Sequence, residues 1–203
     1  VFDHSVLHRM AAVSSVPVVN MLSDFAHPLQ AVADVLTMQQ NLGELNGKTV
    51  TYVGDFNNVA RSLCEASAML GMHIRLGCPE GYDAQDNELL GLTELGAASV
   101  EQYRDIAIAV TGAHAVHTDT WTSMGQESES AEREAVFAGF EVTNEIMSLA
   151  DSKAIVMHCL PAHRGQEVSA SVIDGPQSKI YQQAHNRMHA ARGVLAFLMG
   201  VQQ

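Results

Sequence analysis

The sequence has 203 residues, of which 47% are hydrophobic and 17% are charged, a balance typical of a globular protein rather than of a disordered chain. Its formal net charge is -12 with only 11 Lys and Arg residues, so it lacks the clustered cations that bind nucleic-acid phosphates. No apolar stretch is long enough to cross a bilayer and no signal-peptide pattern is present, so we expect a cytoplasmic protein without a membrane partner.

The first half of the chain predicts a helix followed by a βαβ unit. "HPLQAVADVLTMQQNLG" predicts a helix with Pro28 in its first turn and Gly43 at its end. "KTVTYVGD" predicts a short strand, "VARSLCEASAMLG" a helix that ends at Gly71, and "MHIRLGCPEG" a second strand that runs into a turn.

The second half continues the alternation of helices and strands. "EQYRDIAIAVTG" and "FEVTNEIMSLADS" predict helices, and each is followed by a short apolar run, "AHAVHTD" and "AIVMHCLP", that predicts a strand. This order favours an α/β fold, a doubly wound parallel sheet flanked by helices. The last segment, "SKIYQQAHNRMHAARGVLAFLMG", predicts an amphipathic helix whose apolar face comprises Ile180, Ala184, Met188, Ala191 and Leu195.

Polar residues follow three of the predicted strands, in "GDFNN", "TDTWTSMG" and "HCLP". Ligands of a doubly wound sheet bind at the carboxyl ends of its strands. Any one of these loops could be an ordinary turn, since Asn and Asp favour turns for local reasons. Three together predict one crevice that is lined by Asn57, Asn58, Asp119, Ser123, His158 and Cys159.

Nucleotide and metal sites are weaker interpretations. "GDFNNVARS" has one glycine where a dinucleotide fingerprint needs three, and no Walker A motif is present. His185 and His189 lie four residues apart without an HExxH pattern or a matching third ligand. Three widely spaced cysteines without a CxxC pair favour reduced thiols, so we expect neither a metal nor a cofactor.

Five motifs, "HPLQ", "GDFNN", "TDTWTSMG", "HCLPAHRGQEV" and "NRMHAA", occur in the order and approximate spacing of the ornithine carbamoyltransferases, which the chain resembles from its first residues to its last helix. The resemblance implies transfer of a carbamoyl group from carbamoyl phosphate to the δ-amine of L-ornithine, giving citrulline and phosphate in arginine biosynthesis. It further implies a homotrimer or a higher oligomer of trimers.

The resemblance also implies a set of residues for carbamoyl phosphate. His27 would donate to the carbamoyl oxygen, and Gln30 would hold the carbamoyl amide. The Leu160 carbonyl would accept from the same amide, Cys159 would lie beside the reacting groups, and Arg187 would reach the phosphate.

For ornithine, the resemblance implies that Asn58 and the backbone of Met124 hold the α-carboxylate, whereas Asp119 and Ser123 hold the α-ammonium. Asp119, Cys159 and His27 would be the catalytic groups. Cys159 would orient the amine and handle a proton without forming a covalent intermediate, and Trp121 would pack beneath the loop.

Three further expectations concern Cys64, Cys78 and the loops near the strand ends. Cys64 fits the pattern of an inert buried thiol, as does Cys78. Arg164 is either a residue that shapes its loop or part of a surface ion pair. We expect a cis Leu160-Pro161 bond, because the strand must turn sharply for the Cys159 thiol and the Leu160 carbonyl to face one ligand.

The chain departs from the family in lacking the Ser-Thr-Arg-Thr-Arg motif and a second arginine, which bind the phosphate and normally precede "HPxQ". We therefore expect three parts: 1–46, the end of a carbamoyl-phosphate domain; 47–178, an ornithine-binding domain; and 179–203, a terminal helix that returns to the first domain. The 203 residues alone are expected to form little citrulline. The alternatives are an inactive ornithine-binding fragment or a sibling transcarbamylase with another amine acceptor.

Overall fold

The computed structural model describes residues 1–123 and 125–201. Within these residues the strands are β1 (Thr49–Val53), β2 (His73–Gly77), β3 (Ser99–Tyr103), β4 (Ala115–Thr118) and β5 (Ile155–His158). The helices are α1 (His4–Val13), α2 (Pro28–Leu42), α3 (Asn58–Met69), α4 (Asp86–Glu94), α5 (Ile106–Val110), α6 (Ser130–Phe137), α7 (Asn144–Met147), α8 (Ala170–Ile173) and α9 (Ile180–Leu198). A short 3-10 helix, Glu127–Glu129, precedes α6.

All five strands form one parallel sheet with the order β3-β2-β1-β4-β5, which confirms the predicted α/β fold. Val50 of β1 pairs with Ile74 of β2 on one side and with Ala115 of β4 on the other. The chain moves outward from β1 to β3 and then crosses to β4. The loops after β1 and β4 therefore leave toward opposite faces, and a sheet with such a switch point has its ligand crevice between these loops at the carboxyl edge.

Hydrophobic residues cover both faces of this sheet. Successive side chains of a strand point to opposite faces, so Tyr52 joins one core with Leu63 and Met157, whereas Val53 joins the other. The second core contains Phe137. All five residues of β1 are buried, including Thr49 and Thr51, as expected for a strand whose sheet is covered on both faces.

The predictions for α2, β1, α3 and β2 agree closely with the structure, but the helix predicted over 101–112 is wrong. Its first part belongs to the edge strand β3, which pairs with β2, and only Ile106–Val110 is helical. Asp105 begins this helix because its carboxylate accepts from the backbone N–H of Ala107 at 2.8 Å. The helix predicted over 140–152 is likewise reduced to the four residues of α7.

The apolar face predicted for α9 is also wrong. Ala184, Met188 and Leu195 are exposed, and the buried positions are instead Ile180, Gln183, Asn186 and Ala190. Hydrogen bonds join α9 to α2: the Asn186 amide donates to the Thr37 hydroxyl at 2.8 Å, and the Gln183 amide donates to the carboxylate of Asp34 at 2.7 Å. A polar seam between two helices leaves no apolar stripe in the sequence.

Over the described ranges, no helix combines the length and the hydropathy needed to cross a membrane.

Replacing Leu63 with alanine tests the core between α3 and the sheet. Leu63 is fully buried, so we expect Leu63→Ala to lower the free energy of unfolding by about 2–5 kcal/mol. Met69 lies on the same helix and is 66% exposed, so Met69→Ala should change it by less than about 0.5 kcal/mol. Urea denaturation followed by circular dichroism measures both changes, and equal losses in the two variants would contradict this packing.

Candidate functional site

Asp119 lies directly after β4 and joins the carboxyl ends of three strands. Its Oδ1 accepts from the Cys159 thiol at 2.8 Å and from the backbone N–H of Thr120 at 2.8 Å. Its Oδ2 accepts from the Asn57 amide at 3.0 Å. Asp119 is 6% exposed and these donors are neutral, so its negative charge remains available to a cationic ligand.

Cys159, directly after β5, is a neutral thiol. Burial and the adjacent Asp119 carboxylate raise its pKa well above the ordinary value, and the charge of Arg187 opposes this only in part. Because the thiolate is the nucleophilic form of cysteine, the surroundings of Cys159 suit a hydrogen-bonding group better than a nucleophile. Cys64 and Cys78 are fully buried thiols with raised pKa values, as expected from the sequence.

His158 supports the loop after β5 from below. It is 1% exposed, its Nε2 lies 3.0 Å from Glu167, and its Nδ1 accepts from the backbone N–H of Leu160 at 2.9 Å. These contacts assign a neutral ring with its proton on Nε2, which donates to the Glu167 carboxylate. His158 thus lies near Asp119 and Cys159, as the sequence predicted, but both of its ring nitrogens are engaged within the protein.

The Leu160-Pro161 peptide bond is cis, as predicted, and Leu160 has a left-handed backbone with a φ of 63°. The Leu160 side chain is 38% exposed. The backbone after β5 thus reverses directly beyond the thiol of Cys159, with the Leu160 N–H bound to His158.

The start of α2 contributes His27 and Gln30, both buried. Burial lowers the pKa of His27, the charge of Arg187 lowers it further, and the carboxylates of Asp34 and Asp119 oppose the decrease. A lowered pKa keeps the imidazole neutral near pH 7, where it can donate one proton in a hydrogen bond. His27 Nδ1 and Gln30 Oε1 are buried atoms without a hydrogen-bond partner among the described residues.

Arg187 lies on the exposed side of α9. Its positive charge affects the pKa of both His27 and Cys159, so it acts electrostatically on the α2 side and on the β5 side of the crevice. This position suits the binding of an anion between the two sides.

The loop after β4 contains Ser123 and Trp121. Ser123 is half-buried, and its backbone N–H donates to the Gln126 side chain at 3.1 Å, whereas Met124 lies outside the described residues. Trp121 is buried and stacks on Phe137 with ring centroids 5.9 Å apart, which agrees with a packing role.

Arg133 anchors this loop and was not recognised from the sequence. Its Nε donates to the Trp121 carbonyl at 2.5 Å, its guanidinium pairs with Asp55, and it lies over the Tyr82 ring at 4.7 Å. It connects the loops after β1 and β4, an arrangement that only the folded chain makes visible.

Asn57 and Asn58 have different partners. Asn57 begins α3, because its Oδ1 accepts from the backbone N–H groups of Val59 and Ala60, and its amide reaches Asp119. The Asn58 amide donates to the Ser23 carbonyl at 2.6 Å, which leaves its second N–H for a ligand.

Arg164 forms a bidentate surface ion pair with Asp174, with Nε and Nη2 at 3.0 and 2.8 Å from the carboxylate oxygens.

Within the described ranges, one group of three potential metal ligands is present: Asp119, His158 and Cys159, whose ligand atoms lie within 4.8 Å of one another. Both nitrogens of His158 are already engaged by Leu160 and Glu167, and the Cys159 thiol donates to Asp119. The hydrogen bonds of this group are thus satisfied within the protein.

Two family models match most of the chain. Residues 46–198 match the aspartate/ornithine carbamoyltransferase, Asp/Orn binding domain, and residues 1–40 match the carbamoyl-P binding domain of the same family. These matches cover both the α2 side and the sheet side of the crevice.

Individual proteins show the same likeness. The chain is 50% identical over 189 residues to ornithine carbamoyltransferase from Parasynechococcus marenigrum, which is 92% of this chain and 59% of that protein. It is 47% identical over 201 residues to the enzyme from Acidothermus cellulolyticus, covering 98% and 64% of the two chains. The structure of ornithine carbamoyltransferase from Pyrococcus furiosus superposes with a TM-score of 0.92 at 43% identity, over 100% of this chain and 66% of that one. The chain thus spans about three fifths to two thirds of the length of these relatives.

The raised pKa of Cys159 predicts slow alkylation. At pH 8 we expect iodoacetamide to modify Cys159 at less than about one tenth of the rate of free cysteine, because little thiolate is present. Asp119→Asn removes a charge that raises this pKa, so the rate should increase, whereas Asp174→Asn on the surface should leave it unchanged. Mass spectrometry of the peptide that contains Cys159 gives the rates. An unchanged or slower rate in Asp119→Asn would contradict the electrostatic assignment.

Proposed function

The chain belongs to the aspartate/ornithine carbamoyltransferase family, and from this we propose that it contributes the amine site and part of the carbamoyl site of an ornithine carbamoyltransferase. The reaction is carbamoyl phosphate plus L-ornithine to L-citrulline plus phosphate. The observation that carries the proposal is the buried Asp119 carboxylate, which contacts the Cys159 thiol and the Asn57 amide and has no cationic partner among these contacts. An amino acid with two amines supplies the missing positive charge.

On the donor side, His27 and Gln30 bind the carbamoyl group. The neutral His27 ring donates to the carbonyl oxygen, and Gln30 accepts from the carbamoyl nitrogen together with the Leu160 carbonyl. Arg187 attracts the phosphate. Donors that point at the oxygen on which negative charge develops commonly supply the largest part of such catalysis.

On the acceptor side, Asp119 and Ser123 bind the α-ammonium of ornithine, and Asn58 with the Met124 backbone binds the α-carboxylate. Two charges of opposite sign at a fixed separation identify a free α-amino acid, and hydrogen bonds to charged groups are the stronger ones. The δ-amine then lies beside Cys159.

The chemistry requires the δ-amine in its neutral form. Its nitrogen lone pair attacks the carbamoyl carbon, the C–N bond forms, and the bond from that carbon to the phosphate oxygen breaks. One amine proton leaves toward the phosphate. The Cys159 thiol donates to Asp119, so its sulfur lone pairs can accept from the amine N–H and direct the nitrogen toward the carbon. No covalent enzyme intermediate forms, and the main contribution is the alignment of the two substrates.

We further propose a homotrimer, or a larger assembly of trimers, that acts in the cytoplasm in arginine biosynthesis. Light scattering of the purified complete gene product measures the assembly directly.

A citrulline assay with three amines tests the function. The complete gene product should carbamoylate ornithine at least about 100-fold more efficiently than putrescine, which lacks the α-carboxylate and α-ammonium, or N-acetylornithine, whose α-amine is uncharged. Preference for either of the other amines would favour a sibling transcarbamylase. Binding of amino acid without any product would favour a ligand-binding module.

Asp119→Asn should separate the two substrates. We expect the variant to bind L-norvaline, an ornithine analogue without the δ-amine, at least about tenfold more weakly, because a charge-assisted hydrogen bond to the α-ammonium is lost. The affinity for carbamoyl phosphate should change less than threefold, since Asp119 faces the amine side. Calorimetry with each ligand gives both values.

Asp174→Asn is the matched control, since this carboxylate lies on the surface in an ion pair with Arg164. It should leave the affinities for both ligands unchanged. Equal losses of both affinities in Asp119→Asn would remove Asp119 from the amine site.

The low activity expected for the 203 residues alone remains a prediction. Losing two or three arginine contacts to phosphate removes roughly 4–8 kcal/mol, or about three to six orders of magnitude in rate. Citrulline formation by a purified polypeptide of 21.8 kDa within tenfold of the complete gene product would contradict it.

A further inference from the structure

A second buried carboxylate, Asp34, lies beneath the crevice and has no role in the proposed binding of either substrate. Asp34 of α2 is fully buried, and its Oδ1 accepts from the Gln30 amide at 2.8 Å and from the Gln183 amide of α9 at 2.7 Å. Its Oδ2 has no hydrogen-bond partner among the described residues and lies 3.5 Å from Nε2 of His117.

The orientations of both glutamine amides follow from these contacts. The backbone N–H of His158 can only donate, and it donates to Gln183 Oε1 at 2.8 Å, so Gln183 must present its NH₂ group to Asp34. The same Oδ1 that accepts from Gln183 also accepts from the Gln30 amide, so Gln30 likewise presents its NH₂ group to Asp34. Gln30 Oε1 is then turned away from Asp34, and it is a buried oxygen without a hydrogen-bond partner in the described part of the chain.

We propose that Asp34 is a positioning residue that fixes Gln30 as a hydrogen-bond acceptor, and thereby selects a donor substrate that carries N–H groups beside its reacting carbonyl. The inference rests on the proposed function, in which Gln30 contacts the carbamoyl group. A carbamoyl nitrogen supplies two N–H donors, whereas an acetyl methyl group supplies none and leaves the Gln30 oxygen buried and unpaired. Sites with a polar group that only one substrate satisfies discriminate far better than apolar pockets do.

The same carboxylate holds the crevice together. Through Gln183, Asp34 links α2 to α9 and to the backbone of His158, the residue before Cys159. The Gln183 amide also lies 3.1 Å from Nε2 of His117. The position of Gln30 is therefore coupled to the sheet side of the crevice, where the thiol lies.

Two substitutions of Asp34 distinguish the effect of losing its hydrogen-bond acceptor from the effect of changing its side chain. Asp34→Leu removes the acceptor and keeps the same branched set of four side-chain heavy atoms, so Gln30 can rotate. Asp34→Asn keeps an amide oxygen that accepts from both glutamines, while its NH₂ group can face Nε2 of His117. We expect Asp34→Leu to raise KM for carbamoyl phosphate about tenfold, the loss of one hydrogen bond, and Asp34→Asn to stay within threefold of the wild-type value.

Phosphate and acetyl phosphate serve as probes that a purely structural role would not distinguish. The inhibition constant of inorganic phosphate should change less than twofold in Asp34→Leu, because phosphate does not contact Gln30. The preference for carbamoyl phosphate over acetyl phosphate, measured as the ratio of the acetyl phosphate inhibition constant to KM, should fall about tenfold.

Asn186→Leu is the matched control for lost stability. Asn186 lies in the same seam between α2 and α9, where its amide donates to Thr37 and Gln40 at 2.8 and 2.9 Å and not to Gln30 or Asp34. It should lower the melting temperature, as Asp34→Leu does, and leave KM within twofold.

A double-mutant cycle completes the test. In a Gln30→Leu background, Asp34→Leu should raise KM no further, because the orienting effect has no target. If Asp34→Leu does not fold, Asp34→Ser replaces it, since its short hydroxyl cannot reach both amides. The inference is overturned if the wild-type enzyme forms citrulline and Asp34→Leu raises KM equally in both backgrounds. It is also overturned if the wild-type enzyme forms citrulline and Asp34→Asn is as impaired as Asp34→Leu. All of these variants are made in the complete gene product, and a wild-type complete gene product that forms no citrulline overturns the proposed function itself.

Discussion

The crevice depends on the hydrogen bonds that the Asp119 carboxylate accepts from the loops after β1 and β5. This carboxylate is buried, it accepts from the Asn57 amide after β1 and from the Cys159 thiol after β5, and it lies at the end of β4. A buried carboxylate that is satisfied only by neutral donors costs solvation free energy, which a bound ammonium group can offset. Burial and the same charge raise the pKa of the Cys159 thiol, so the carboxylate proposed to bind the amine also suppresses a competing nucleophile.

The sheet topology explains why these three residues meet. The strand order reverses between β1 and β4, so their following loops diverge, and β5 adds its own loop beside β4. Helices α2 and α9 are joined near this edge by amide hydrogen bonds centred on Asp34 and Gln183. Such contacts fix the orientation of each amide, which aliphatic side chains cannot do, and this suits a site that must distinguish donors from acceptors.

Strong local signals made much of this architecture predictable. Pro28 and Gly43 mark the ends of α2. The short strand-forming runs of β1, β4 and β5 are recognisable in the sequence, and the polar residues after them indicated the crevice. The edge strand β3 was missed because its residues suit helix or strand equally, and pairing with β2 decides the outcome. The buried face of α9 was missed because Gln183 and Asn186 look like surface residues until α2 supplies their partners. Arg133 and Asp34 act across long sequence separations, which periodicity within one segment does not reveal.

A crystal structure of the complete gene product with carbamoyl phosphate and L-norvaline tests the central claim most directly, because it locates the amino acid relative to Asp119. We expect the α-ammonium of L-norvaline to lie within about 3.2 Å of the Asp119 carboxylate, with the end of the L-norvaline side chain beside the Cys159 sulfur. An amino acid bound elsewhere, with Asp119 still contacting only Asn57, Cys159 and Thr120, would contradict it.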